Sequence, residues 1–260
     1  MKPKLLHAPR VLLLLSCLAV AGKQSAPGAE DAAALETQEK AALDLLNHGQ
    51  PAAAEKEYRA LIATKERVLG PEHLSTLASR HRLAEAFDKQ RKNAEAEKEY
   101  RAEVAGKEHT LGPEHKDTLK SRGFLAWYLG QEGKIAQAEE EYGTVIAIRM
   151  RIFGPEQADT LWQRNTLALM LEEHGKHVEA EKEFRGVAKD LEDSDDQMYS
   201  LVAFNFYSLA LCLAGQGKNE EALIFARRAA DAYKKQYSEK HRLTKGAEEL
   251  ARRIEEALRK

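Results

Sequence analysis

Residues 69–84 read LGPEHLSTLASRHRLA, residues 111–126 read LGPEHKDTLKSRGFLA and residues 153–168 read FGPEQADTLWQRNTLA. The three stretches lie 42 residues apart, and that period runs through most of the chain. Ala54, Ala96, Ala138, Ala180 and Ala222 share one register, and Tyr58, Tyr100, Tyr142 and Phe184 share another four residues on. Leu83, Leu125, Leu167 and Leu209 share a third, each followed by alanine. Gly49, Gly133, Gly175 and Gly217 share a fourth, with Arg91 standing where the second unit would carry glycine.

Each unit predicts two helices. In residues 74–90, Leu77, Leu83, Ala84 and Phe87 fall on one side of a helix, and Ala96 and Tyr100 lie one turn apart on the next, over about 93–110. The glycine between the two helices suits a left-handed C-cap, so Arg91 marks a strained turn. Proline after Gly70, Gly112 and Gly154 is expected to stop the second helix, because it has no N–H to donate. No strand pattern appears. The expected organisation is an all-α solenoid over 32–237, in units of about 32–68, 74–110, 116–152, 158–192 and 198–237. A charged capping helix at 241–258 would cover the last apolar face.

The 260 residues are 43% hydrophobic and 32% charged, a composition that excludes a disordered chain. Net charge is −2, without the basic excess that nucleic-acid binding uses. Residues 1–21 read as a secretory signal peptide: Lys2, Lys4 and Arg10, an apolar run from Val11 to Leu18, then Ala19-Val20-Ala21. Cleavage there removes three cations and takes the net charge from −2 to −5. Residues 22–31 read as a flexible tether. Leu14-Leu15-Ser16-Cys17 supports a rival reading, a lipoprotein anchored through Cys17, and an uncleaved anchor is a third. The membrane enters only through such an anchor. Only Cys212 would remain in the chain cleaved after Ala21, so no internal disulfide is expected.

The pattern Leu83-Ala84, Phe87, a turn at 91, Ala96 and Tyr100 resembles the tetratricopeptide repeat (TPR). It recurs with Leu125-Ala126 and Leu167-Ala168. The 42-residue period and the GPEH-x-x-TL turn (Thr76-Leu77, Thr118-Leu119, Thr160-Leu161) look like the longer kinesin-light-chain type. Ala41, in the leucine register, and Glu103, where the family has a small or apolar residue, depart from the pattern. So does the fifth unit, which has no Gly-Pro turn before it. The resemblance implies a right-handed superhelix whose first helices line a concave groove that binds proteins or peptides and holds no cofactor.

Carried onto this sequence, the family's groove positions are Ala78, His81 and Glu85; Lys120, Gly123 and Trp127; Trp162, Asn165 and Leu169; and Phe204, Tyr207 and Leu211. Trp127 and Trp162 would anchor a partner, or else fill space between helices. Asn165 would hold a peptide backbone through its amide. For Phe204 and Tyr207 a core position is the favoured reading. Arg80, Arg122 and Arg164 share a register and suit an acidic ligand's carboxylates, with pairing to neighbouring acids as the favoured alternative.

Other clusters favour plainer readings. The acidic stretch 190–196 (DLEDSDD) is expected to be a solvated loop rather than a calcium site. His73, His115 and His241 recur at one turn position and read as structural; His174 and His177 lack a third ligand for zinc. Cys212 sits in an apolar stretch and reads as inert. No G-x-S-x-G, H-E-x-x-H or P-loop occurs. The expected function is therefore an exported, non-enzymatic protein-binding scaffold, with a lipid-anchored assembly adaptor or a self-assembling homo-oligomer as alternatives.

Overall fold

The computed structural model describes residues 29–193 and 198–259. The export segment 1–21 with Cys17, residues 22–28 of the tether and residues 194–196 of the acidic stretch lie outside them. The described residues form eleven α-helices and no strand. They are α1 (Ala29–Asn47), α2 (Pro51–Val68), α3 (Leu74–Lys89), α4 (Asn93–Leu111), α5 (Lys116–Gln131), α6 (Ile135–Phe153), α7 (Ala158–Glu173), α8 (His177–Asp193), α9 (Tyr199–Gly215), α10 (Asn219–Gln236) and α11 (Arg242–Leu258). Helix α1 takes in residues 29–31, read from sequence as tether, because an alanine-rich stretch favours helix.

Every helix packs on the next from α1 to α11, which makes the architecture an α-solenoid of helix pairs. First helices also approach one another: α1 meets α3, α5 meets α7 and α7 meets α9, whereas no two second helices come comparably close. The closer spacing makes the first-helix layer the inner, concave side. Small residues permit that spacing. Ala54, Ala84, Ala96, Ala126, Ala138, Ala168, Ala180, Ala210 and Ala222 are all 0% exposed. Tyr58, Tyr100, Tyr142 and Phe184 are buried beside them, and Ala226 takes the same register in the fifth pair.

The recurrent turn is built by its polar residues. His73, His115 and His241 are N-caps: each ring Nδ1 accepts the backbone N–H two residues on, at 3.2, 3.2 and 3.3 Å. Gln157 does the same for Asp159 at 2.8 Å. Thr76 Oγ1 closes its turn by donating to the Gly70 carbonyl at 2.9 Å, and Thr244 repeats this with Ser238 at 2.8 Å. The helix stop belongs to glycine as much as to proline. Gly112 and Gly154 take φ 92° and 93° with ψ 157° and 158°, a region L side chains avoid.

Within each pair the turn is a Schellman closure, in which Gln50, Lys92, Lys134, Lys176 and Lys218 each donate a backbone N–H five residues back. Arg91 makes this turn at φ 59°, where the other units use glycine. A left-handed conformation costs an L residue about 1–2 kcal/mol. Arg91→Gly is therefore expected to raise stability by about 1 kcal/mol in urea unfolding, and Gly133→Ala to lower it by a similar amount. Equal midpoints for Arg91→Gly and the unaltered chain would show that the turn is unstrained.

Candidate functional site

The inner layer carries an exposed aromatic strip. Trp162 on α7 is 54% exposed and stacks on Phe204 of α9, with ring centroids 5.3 Å apart and planes 29° from parallel. Trp127 on α5 is 40% exposed and leans on Phe124 at 5.3 Å. Leu211 on α9 is also exposed, and Leu169 on α7 is half-buried. Phe204 is thus half-buried beneath Trp162 rather than in the core favoured for it. Tyr207 is half-buried as well and packs against the core. Lys120 on α5 is exposed and makes no ion pair among the described residues.

Other sequence candidates are turned inward. Asn165 is fully buried, and its Oδ1 accepts from Asn205 Nδ2 at 2.8 Å. It lies beneath the groove floor and does not present its amide to a ligand, because α9 packs directly over it. The arginine register is likewise satisfied inside the chain. Arg80 pairs with Glu66 and with Glu99 at 2.6 Å; Arg122 pairs with Glu108 at 2.7 Å and Glu141 at 3.5 Å. Arg164 pairs with Glu183 at 3.1 Å and with Asp190, its head lying over Gly186. Acids recur with the same period as the arginines, so the ladder is a packing device and not an open clamp.

His81 is held in a charged network that sequence reading missed. Its Nδ1 lies 2.8 Å from Glu103 Oε2, and its Nε2 3.5 Å from Glu85. Glu103 is 3% exposed and also accepts from Lys107 at 2.8 Å and Ser121 at 2.7 Å. The departure at position 103 is therefore a buried carboxylate with three partners. Around it, His81, Tyr100, Phe124 and Tyr128 form a chain of edge and tilted ring contacts at 4.7–5.4 Å.

His73, His115 and His241 lie on separate turns, as helix caps. His174 bonds the Met170 carbonyl at 2.8 Å, and His177 faces Glu172 at 3.0 Å, so the two do not converge. Cys212 is buried and free among the described residues, and burial pushes its thiol up to about 12, far from a nucleophile's range. No helix of the described residues is long and apolar enough to cross a membrane.

A model of the tetratricopeptide repeat matches residues 35–75 and 76–117. These are tetratricopeptide repeats. The helix pairs after them continue the same fold, since the nearly identical TPR-like repeats assigned to a kinesin light chain of Podosopora anserina superpose with a TM-score of 0.65. That match has 25% identity and covers 78% of this chain and 97% of that one. BtubC (BKLC) from P. vanneervenii gives 0.55 at 16% identity, over 78% of this chain and 92% of its own. PilW, a type IV pilus biogenesis factor, gives 0.52 at 14% identity, over 86% and 92%. The last two show the fold alone. Among curated protein sequences, none matches the chain. TPR proteins are generally protein–protein interaction scaffolds.

Within the matched repeats the His81–Glu103 pair sets a pH signature. Burial opposes the charge on His81, but hydrogen bonds to Glu103 and Glu85 outweigh it and hold its pKa up to about 9. Burial likewise opposes ionisation of Glu103, and His81, Lys107 and Ser121 outweigh it, holding its pKa down to about 2. A raised His pKa contributes stability below 6.5 that is lost as pH rises through 9; a lowered Glu pKa contributes above 4.5 and is lost as pH falls through 2. The pair therefore contributes most between pH 4.5 and 6.5. Urea unfolding is expected to show a loss of about 1 kcal/mol or more from pH 6 to pH 9.5, absent in His81→Gln. An identical slope in that variant would remove the pair as its source.

Proposed function

We propose that the chain is an exported, non-enzymatic scaffold that seats a segment of a partner protein on its concave first-helix face, with Trp127 and Trp162 as anchors. One observation carries the reading: two tryptophans at groove positions of neighbouring first helices stay 40% and 54% exposed. Large aromatic groups left in water on a concave face are the usual anchors of an interface. Lys120, exposed and without an ion pair among the described residues, supplies a cation beside them. The units of about 32–68, 74–110, 116–152, 158–192 and 198–237 would form the binding array, and 241–258 its cap.

Capture from the native envelope or secreted fraction tests the groove. Trp127→Ala with Trp162→Ala is expected to release a partner that the unaltered chain holds, while far-UV dichroism and the thermal midpoint stay close to the unaltered values. Retention by both baits would place the contact off the tryptophans, and recovery of the chain alone would replace a partner with a second copy.

Export is supported by the residue pattern of 1–21, with cleavage after Ala21. Intact mass of the mature chain is expected to correspond to Gly22 as first residue. A chain starting at an acylated Cys17 would instead make it a lipid-anchored adaptor, and an intact Met1 would mean an uncleaved segment.

A further inference from the structure

The turns that join successive units lie along one edge of the solenoid, and a ladder of ion pairs runs along them. Each early turn is tied to the end of the next unit's second helix: Glu72 to His109 at 2.5 Å, and Glu114 to Arg151. The 42-residue register that sets this ladder also breaks it, twice and in opposite senses. The third turn acid, Glu156, has Asp193 at the register of His109 and Arg151. The next cation on, Lys235, has Met198 at the register of the turn glutamates. Glu156 and Lys235 are both exposed, and neither makes an ion pair among the described residues. Lys235 lies instead over the Tyr199 ring, 5.7 Å from its centre.

The two turns at these breaks also differ from their register mates. Leu69 and Leu111 are half-buried, whereas Phe153 and Tyr237 at the same position are 43% and 45% exposed. Ile152 next to Phe153 is 39% exposed, and Leu243 in the last turn is 37% exposed. Tyr237 is held in place by stacking on His241, with ring centroids 4.2 Å apart. Charge is opposite on the two. Residues 153–161 carry Glu156 and Asp159 and no cation, and the Asp159 side chain is 69% exposed although Arg149 lies 3.3 Å away. Residues 237–245 carry Lys240, Arg242 and Lys245 against Glu239, and Glu239 is taken by Lys234. Lys240 stands at the register of Glu72, Glu114 and Glu156.

One turn is thus acidic with an exposed aromatic ring, and the other is basic with an exposed aromatic ring. Each is the chemical complement of the other. Within one chain they sit two units apart along the same edge and do not meet. In a second copy turned end for end, the acidic turn of each chain faces the basic turn of the other, so both contacts form at once. We propose that this edge is a homodimer interface, in which Glu156 and Asp159 of one copy answer Lys235 and Lys240 of the other, and Phe153 packs against Tyr237, twice about a two-fold axis. The interface lies at the turns and is independent of the first-helix groove.

Sedimentation equilibrium of the full chain tests it. A reversible equilibrium between one and two copies is expected, weakened by added sodium chloride. Lys235→Glu with Lys240→Glu, and separately Glu156→Lys, are each expected to weaken the dimer by about tenfold or more. An equimolar mixture of the two variants is expected to restore it as a dimer of one copy of each, because the reversed turns are again opposite in charge. Phe153→Ser with Tyr237→Ser, both at exposed positions, is expected to give single copies, and serves should a reversal fail to fold. A single-copy mass at every concentration of the unaltered chain overturns the proposal and leaves the two turns to different partners. Dimerisation unchanged in the folded variants, or no recovery in the mixture, also overturns it, and growth past two copies would replace the two-fold pair with an open chain. Failure on any of these counts would leave the tryptophan anchors standing.

Discussion

Each helix pair of this chain leaves one apolar face that only the next pair can cover, and everything else follows from how that face is closed. Closure depends on alanine. The columns at Ala54 to Ala222 and Ala84 to Ala210 put no side chain beyond Cβ between the helices, so backbones approach closely and the aromatic column beside them is sealed from water. A larger residue there would push two units apart and open the tyrosines behind it. The last pair is closed by α11, which buries Ala247, Leu250, Ala251 and Ile254 and turns a charged face outward.

Electrostatics reinforce the same junctions with the same period. Lys92, Lys134, Lys176 and Lys218 each reach the glutamate 37 residues earlier, at Glu55, Glu97, Glu139 and Glu181. Each such pair is partly exposed and worth little alone. Four in a row fix the angle between successive units along one edge. Glu72 with His109 and Glu114 with Arg151 repeat the device at the opposite edge of the early units. The arginines at 80, 122 and 164 belong to this internal bonding, which is why they do not face a ligand.

What remains on the inner face is defined by subtraction. The charges that the repeat satisfies internally drop out of the groove, and so does Asn165. Trp127, Trp162 and Lys120 remain, with Phe204 supporting one tryptophan and Phe124 the other. His81 sits among them but is committed to Glu103 and Glu85. Arg149 Nε is among the buried polar atoms left without a hydrogen-bond partner in the described residues.

Period, helix pairing and the special turns were legible in the sequence, because each depends on residues close along the chain. A 42-residue recurrence of alanine, aromatic and glycine fixes where helices start, stop and touch, and φ 59° at Arg91 follows from one missing glycine. The tryptophans could be placed on the inner face through the groove positions that the resemblance to the tetratricopeptide repeat implies. Whether a groove-register residue meets solvent was decided only in three dimensions. Asn165 and Trp162 are three residues apart on one helix, yet the first is fully buried by α9 and the second is the more exposed of the two tryptophans. Pairing of Arg80 with Glu99 or of His81 with Glu103 joins residues about twenty positions apart on different helices, so no local pattern announces it. Charge partnership is a property of the packed interface between units, and only the packed interface shows which charges are left without a partner.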